Sequence, residues 1–546
     1  MAAADADQLE AAAAAAASDW RPALMQHPVS SALLAAAGVL LGLWWLLPRQ
    51  PLQRLPPGPR PWPLVGNVAY GLMPRLMLPR RHKGDRRHFH RTYEGGGDDP
   101  RSFAAHLLLT EMAEIYGSIF TFFIGSRPCI VLSTFETVRD ALVNKAEVFS
   151  DRPNTPNAAM VTQRKGVVFA PYGSVWKKQR KFCHLTLRHF GLGKHSLEPK
   201  IIEEFKYAKA EILKHGKEQF NPFPIIGSVV SNIICSMTLG RPFDYNDKAF
   251  KRLLELMSRA LELSLNVHIL LIIICPWLYY LPFGLFREYR QIVLDITAFL
   301  KTIIQQHRES LDAQNPRDFI DMYLLHADEE NKTDSESSFN DDYLFFIIAD
   351  LFIAGTDTMS HTLKWSLLYM SLHPQEQKKV QEEIDLVIGH NRPPSLADKA
   401  RMPFTEATIM EVQRMAVVVP LSIPRMASET TELQGYTIPK GSVIVPNLWS
   451  VHRDTNVWEN PDDFCPARFL DENGQLVKKE TFIPFGIGKR VCMGEQLAKM
   501  ELFLLFVSLL QNFTFQYPED MKKPSMNGRF GLTLSPFPFN IIALER

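Results

Sequence analysis

A chain of 546 residues with 46% hydrophobic and 22% charged side chains can bury a large core, and its 60 Lys and Arg against 59 Asp and Glu leave no bulk charge for gripping nucleic acid. Six cysteines, at 129, 183, 235, 275, 465 and 492, include no C-x-x-C pair, which excludes a disulfide scaffold and a zinc ribbon. What remains is a globular protein of a reducing compartment, in which five of those cysteines are expected to be small buried hydrophobes.

Residues 1–28 read as an N-terminal tail. Residues 29–47 (VSSALLAAAGVLLGLWWLL) carry no charge and would reach about 28 Å as a helix, close to a bilayer core. Asp5, Asp7, Glu10 and Asp19 precede this stretch, and Arg49, Arg54 and Arg60 follow it. The charge order predicts a single-pass signal anchor with the rest of the chain in the cytosol. Residues 48–67 form a hinge whose prolines at 56, 57, 59, 61 and 63 favour a stiff extended connection. One catalytic domain is expected over 68–546. Its basic tract at 75–91 reads either as a solvated insertion or as a contact for anionic lipid headgroups.

Beyond residue 100 helical patterns dominate. Residues 327–340 (ADEENKTDSESSFN) read as a polar, acidic loop. Asp341 and Asp342 then open an apolar pattern that runs to Leu372, where Pro374 stops it; such a helix would span about 48 Å. AGTDT, residues 354–358, interrupts its middle, although Gly alone costs about 0.8–1.0 kcal/mol there relative to Ala. Small Ala354 and Gly355 would let a flat ligand approach the backbone, with the Thr358 hydroxyl and Asp357 carboxylate beside it. Residues 435–447 (GYTIPKGSVIVPN) read as two strand-like runs around a turn at Pro439, Lys440 and Gly441.

FGIGKRVCMG, residues 485–494, places Cys492 in a loop with three glycines, two cations and Phe485. A thiolate is favoured by nearby cations, here Lys489 and Arg490, and by a helix N-terminus, here the helical pattern from Gly494 to Leu510. Phe485 can shield the site, and Gly486, Gly488 and Gly494 permit the tight turn. A lone thiolate makes a poor closed zinc site and suits an axial haem ligand.

At these residues the sequence resembles the cytochrome P-450 superfamily. FGIGKRVCMG fits the signature F-x-x-G-x-R-x-C-x-G at every fixed position, AGTDT is similar to the oxygen-activation motif of the distal helix, Glu411 and Arg414 in EVQR fit E-x-x-R, and Arg468 in PARF completes that triad. LRHFGLGKHSLEPKIIEEFKYAKAE, ICPWLYYLPFG and VVVPLSIPRM resemble microsomal family two, most of all its subfamily U. The resemblance implies a mainly α fold with small β-sheets (α+β). In it haem b lies between a long distal helix and the cysteine loop. Cys492 would be the metal ligand. Trp176, Arg180, Arg425 and Arg490 would surround the propionates, and Ala354, Thr358, Phe485 and Gly486 would flank the ring. At the position of Arg425 related enzymes often have histidine. Thr358 and Asp357 would deliver protons during oxygen activation, while Glu411, Arg414 and Arg468 are structural.

The activity implied is an NADPH-dependent monooxygenase that hydroxylates long-chain fatty acids, arachidonate included, at or near the methyl end. No dinucleotide fingerprint or flavin domain is visible, so electrons must come from a partner, NADPH-cytochrome P-450 reductase, with cytochrome b5 as a second donor. Lys177, Lys178, Lys181, Lys489 and Lys499 would offer it a basic face. Phe345, Phe346, Phe352, Ile353, Val418, Leu421, Ile423 and Leu534 are candidates to line an apolar tunnel. Sterol or xenobiotic hydroxylation, a thiolate-haem isomerase or dehydratase, and a haem sensor are the alternative readings. The anchor points to the endoplasmic reticulum, and a mitochondrial pool is compatible with it. A cytosolic body would leave the acceptor sequences at Asn331 and Asn512 without glycans.

Overall fold

The computed structural model describes residues 54–62, 64–68, 104–191, 197–333 and 337–546. The tail at 1–28, the anchor at 29–47, the first part of the hinge and the basic tract at 75–91 lie outside the described residues.

Eleven helices of twelve residues or more are present among the described residues: α1 (Ala105–Tyr116), α2 (Ser174–His189), α3 (Glu198–Leu213), α4 (Phe223–Thr238), α5 (Lys248–Ser264), α6 (Gly284–Glu309), α7 (Phe319–Thr333), α8 (Asp341–Leu372), α9 (Pro374–Val387), α10 (Pro403–Ala416) and α11 (Glu495–Asn512). The mainly α class follows from these elements. The expected acidic loop is helical in its first half, because α7 continues to Thr333. Its Asp and Glu side chains face solvent there, and charge does not break a helix that has one apolar face to bury.

The long apolar pattern folds as expected. Asn340 caps α8, its side chain accepting from the Tyr343 N–H at 3.1 Å, and Asp341 and Asp342 complement the positive end of the helix. The helix stops at Leu372, since Pro374 has no N–H to continue the ladder and instead opens α9. From Met359 to Ser371 every residue of α8 is buried, which is why the sequence there shows no amphipathic period. By length and composition α8 could cross a bilayer; its packing against α4, α6, α9, α10 and α11 shows it to be the central helix of the body.

The strands form small sheets. β1 (Ile119–Ile124) pairs antiparallel with β2 (Arg127–Leu132), while β3 (Arg425–Met426), β4 (Thr431–Leu433), β5 (Tyr436–Ile438) and β6 (Val443–Pro446) follow α10. The main sheet has the order β1-β2-β6-β3, with β2 and β6 parallel. The two runs around Pro439 are therefore strands, but they do not pair with each other: β5 joins β4, and β6 joins β2 and β3. β7 (Phe513–Gln516) pairs with β10 (Ile542–Glu545), and β8 (Arg529–Phe530) with β9 (Leu534–Ser535). The described part of the proline segment lies along β1: the Thr121 N–H donates to the Pro57 carbonyl at 2.8 Å and the Thr121 hydroxyl to that of Pro56 at 2.9 Å. A side chain at Gly58 would strike the Thr121 carbonyl, so glycine is required for that approach.

Candidate active site

A cavity of about 720 Å³ separates α8 from the loop that carries Cys492. Ala354, Gly355, Thr358 and Thr362 line it from α8; Phe485, Gly486, Arg490 and Cys492 line it from the loop. Arg425 reaches it from β3, where it pairs with Ile444 of β6, and Arg180 reaches it from α2.

The cysteine loop is shaped by glycine. Gly486 and Gly488 have φ of 71° and 80°, in the left-handed region, and a Cβ on Gly488 would lie 2.0 Å from the Leu142 carbonyl oxygen. The Cys492 N–H donates to the Phe485 carbonyl at 3.0 Å, closing the loop, and Gly494 caps α11 directly after it. Cys492 is exposed to the cavity. Burial raises the Cys492 thiol, while the Gly494 N–H and Arg180 act in the opposite direction. The loop alone therefore does not hold a thiolate, whereas a bound metal ion would deprotonate the thiol outright.

The cations expected beside the sulfur are otherwise engaged. Lys489 pairs with Glu147 at 3.2 Å. Arg490 donates to the carbonyls of Ser150 at 3.0 Å, Val167 at 3.2 Å and Ala170 at 2.7 Å, and its guanidinium lies 4.2 Å from the centre of the Trp176 ring. Trp176 sits behind the cavity wall, its indole N–H donating to the Val167 carbonyl at 2.9 Å. Arg180 donates to the Val491 carbonyl at 2.6 Å and faces the cavity. Arg425 is 3% exposed, and its Nε has no hydrogen-bond partner among the described residues. A buried guanidinium left unpaired is costly unless an anion completes it. The donor set thus fits a flat, acid-bearing macrocycle: a thiol on one face, small residues on the other, and the unpartnered Arg425 with Arg180 at its edge.

On α8 the Thr358 hydroxyl donates to the Ala354 carbonyl at 2.6 Å. The Asp357 carboxylate is not part of the cavity wall; it is buried on the neighbouring stripe of the helix, where it accepts from the Thr533 hydroxyl. Gly355 has a packing role as well, for a Cβ there would meet the Ile234 side chain of α4 at 2.5 Å. Of the eight tunnel candidates, Phe345, Phe346, Ile353, Val418, Leu421 and Ile423 line the cavity. Phe352 and Leu534 are core instead, 1% and 0% exposed.

Three supporting residues escaped the sequence reading. Asp350, one turn before Ala354, accepts from the N–H groups of Val167 at 2.8 Å and Val168 at 2.9 Å, locking that loop to α8. A Cβ on Gly166 would lie 2.3 Å from this carboxylate, so glycine permits the contact. Arg152 donates to the carbonyls of Val168, Ile423 and Pro424 and joins the same loop to the other wall. His452 receives the Ile483 N–H at Nε2, 3.1 Å away, and its Nδ1 faces the Leu448 carbonyl at 2.8 Å. Burial lowers its pKa to about 3, so it stays neutral and holds one tautomer against the base of the cysteine loop. Arg414 in turn donates to the His452 carbonyl at 2.9 Å, and Glu411 accepts from Arg414 at 2.7 and 2.9 Å and from Arg468 at 2.9 Å.

Comparison with known proteins agrees with this geometry. Residues 101–543 match the cytochrome P450 family. The chain is 62% identical to human cytochrome P450 2U1 over 523 residues, covering 96% of this chain and 95% of the relative. It is 60% identical to the rat protein of that name over 534 residues, covering 96% and 99%. Human cytochrome P450 2J2 is 38% identical over 524 residues, covering 95% and 97%.

Proposed function

Because the chain belongs to the cytochrome P450 family, whose members are monooxygenases that bind haem through a cysteine thiolate and draw electrons from NADPH through a reductase, we propose that it hydroxylates long-chain fatty acids at or near the methyl end, with Cys492 as the ligand. The observation that carries this reading is the cavity. Its wall is apolar over most of its extent, with Phe345, Phe346, Val418 and Leu421 beyond Thr358, and Arg180, Arg425 and Arg490 gather beside the cysteine loop, apart from Arg127 of β2.

Haem, when bound, supplies the oxidation of a C–H bond by dioxygen; the protein supplies binding, orientation and proton access. Arg425 and Arg180 would hold its propionates, with Arg490 and Trp176 supporting the wall behind them. Arg152 and Asp350 fix the loop over the cavity and so orient a chain lying along it. Thr358 can turn its hydroxyl from the Ala354 carbonyl toward the cavity, and Asp357 reaches the cavity through Thr533.

The reductase would dock on the cysteine side, where Lys177, Lys178 and Lys181 are exposed on α2. Trp277, Tyr280 and Phe283 are 63%, 65% and 63% exposed, following a segment whose Leu270 and Ile273 line the cavity. Apolar groups so placed suit a membrane surface that delivers a lipid, and with the anchor expected from the sequence of 29–47 they favour the endoplasmic reticulum membrane.

The test pairs a spectrum with a product. Dithionite and carbon monoxide should give a strongly red-shifted Soret band that Cys492→Ala lacks. Arachidonate with NADPH and reductase should give alcohols at or next to the methyl carbon. A wild-type band without any fatty-acid product would overturn the substrate; turnover of a hydroperoxide without NADPH would overturn the reaction class.

A further inference from the structure

Asp357, His361 and Lys364 occupy positions i, i+4 and i+7 of α8 and form one stripe beside the cavity-facing one. All three are buried, at 6%, 5% and 8% exposure. Three titratable groups in a row are unusual in a helix core, because each charge must be compensated where it is buried. Here the compensation is incomplete. His361 Nδ1 lies 3.4 Å from Asp357 Oδ2, yet that nitrogen has no hydrogen-bond partner among the described residues. Lys364 forms no ion pair among the described residues; its ammonium lies 4.8 Å from the centre of the Phe223 ring, at the start of α4. At the inner end Thr533, which lines the cavity, donates its hydroxyl to Asp357. The row thus leads from the cavity wall at Thr533, through Asp357 and His361, to Lys364, beyond Thr362 of α8.

We propose that His361 and Lys364 are the outer half of a proton path that supplies the cavity through Asp357 and Thr533. The proposal rests on the oxygen-insertion reaction, which converts a C–H bond, O2, two electrons from the reductase and two protons into an alcohol and water. Those protons must cross a wall that is mostly apolar. In each transfer Lys364 gives a proton to the far nitrogen of His361, His361 gives the Nδ1 proton to the Asp357 carboxylate, and a turn of the imidazole ring then brings its remaining N–H back toward Asp357. The Asp357 carboxyl then donates to Thr533, whose own hydroxyl proton passes into the cavity; Lys364 regains its proton from solvent. No group on the path changes oxidation state.

The electrostatics are compatible with traffic in both directions. Burial lowers Lys364 to about 8, with Asp357 acting against that shift, so its ammonium can release a proton near neutral pH. Burial lowers His361 to about 4; Asp357 opposes this, while Lys364 and Arg529 add to it. The imidazole is then neutral at rest and can receive on one nitrogen as it gives from the other. Arg529, on β8, is itself paired with Glu262 of α5 at 2.9 Å, which confines its influence.

Full-length holoenzyme is the material for the test. Histidine labelled with 13C at Cε1 reports the His361 titration, identified by its absence in His361→Gln, and Asp357→Asn should move its midpoint to lower pH. With reductase and NADPH, His361→Gln, His361→Asn and Lys364→Met should each divert reducing equivalents to hydrogen peroxide. Alcohol yield per NADPH should fall by about tenfold and the solvent deuterium isotope effect should rise. The carbon monoxide band and the substrate-binding spectrum should stay as in wild type. A His361 resonance indifferent to Asp357→Asn, or wild-type yield and isotope effect in all three variants, overturns the path. A wild-type enzyme that makes no alcohol from NADPH and O2 overturns the oxygen-insertion reading instead, and the resonance experiment still decides whether His361 and Asp357 are coupled.

Discussion

Removing the Glu411 carboxylate should destabilise the protein more than any surface charge change could. Glu411 and Arg414 are both 0% exposed, and one carboxylate accepts four bonds: two from Arg414, at 2.7 and 2.9 Å, one from Arg468 at 2.9 Å and one from the Cys465 N–H at 2.9 Å. Glu411→Ala leaves the Arg414 guanidinium without its counter-charge under the Trp458 ring. Breaking a buried pair from one side costs about 3–5 kcal/mol, a factor of about 10² to 10³ or more in the folded ratio. Arg414 also donates to the His452 carbonyl, and His452 holds Ile483, so part of the loss should reach the cysteine loop as lower haem content. Guanidinium unfolding followed by far-UV circular dichroism, with haem counted per chain, measures both effects. Glu411→Ala with Arg414→Ala should cost less than the sum of the two singles, because the second change removes the orphaned charge. A single variant within about 1 kcal/mol of wild type and with full haem content would refute the argument that this network positions the loop.

Other changes test separate parts of the structure. Gly488→Ala must hold a Cβ at φ 80° against the Leu142 carbonyl, costing about 1–2 kcal/mol for the backbone alone; a diminished carbon monoxide band per milligram is the expected sign. Arg425→Leu should raise the rate of haem loss to apomyoglobin, whereas Arg425→His, which retains a donor, should leave it near wild type. Burial alone would depress His307, but its contacts with Asp318 at 2.9 Å and the Ile303 carbonyl at 2.8 Å raise it above the usual value. Its contribution to stability is therefore complete below about pH 6.5, the unfolded value, and is lost as pH rises through the raised folded value. His307→Gln should abolish that part of the pH dependence of the unfolding midpoint.

The features legible in the sequence were those whose signal is local. α8 could be bounded because apolar run, acidic first turn and Pro374 fall within one stretch. The cysteine loop could be found because its glycines, cations and helix start fall within ten residues, and the Glu411 and Arg414 pair because its spacing on one helix fits the family's E-x-x-R motif. Asp350, Arg152, His452 and Thr533 had no such signal, since each acts on a segment far away in sequence: Asp350 on residues 167 and 168, Arg152 on 423 and 424, Thr533 on 357. A lone Asp in an apolar helix can be read as caged only when the two N–H groups that cage it are known. Adjacency to Cys492 in the sequence suggests that Lys489 and Arg490 stand at the sulfur. In the fold the loop turns both away, one toward Glu147 and the other into a set of carbonyls.

The distribution of the remaining cations bears on how a fatty acid would lie. Arg180 and Arg425 stand beside the cysteine loop, where the propionates would use them, and Arg152 and Arg490 are taken up by carbonyls. Arg127 lines the cavity from β2 and donates from Nη1 to the Asn154 carbonyl at 2.7 Å. The β1–β2 turn beside it abuts the segment that leads to exposed Trp277, for a Cβ on Gly125 would touch the Ile274 side chain at 3.4 Å. A carboxylate held there would leave the methyl end to extend toward Cys492, the orientation that oxidation near the methyl carbon requires. Arg127→Met should raise KM for the free acid by about tenfold, the scale of one charge-assisted hydrogen bond, and leave the methyl ester unchanged. Equal effects on acid and ester would mean that Arg127 only shapes the mouth, and that another group, or the membrane itself, orients the substrate.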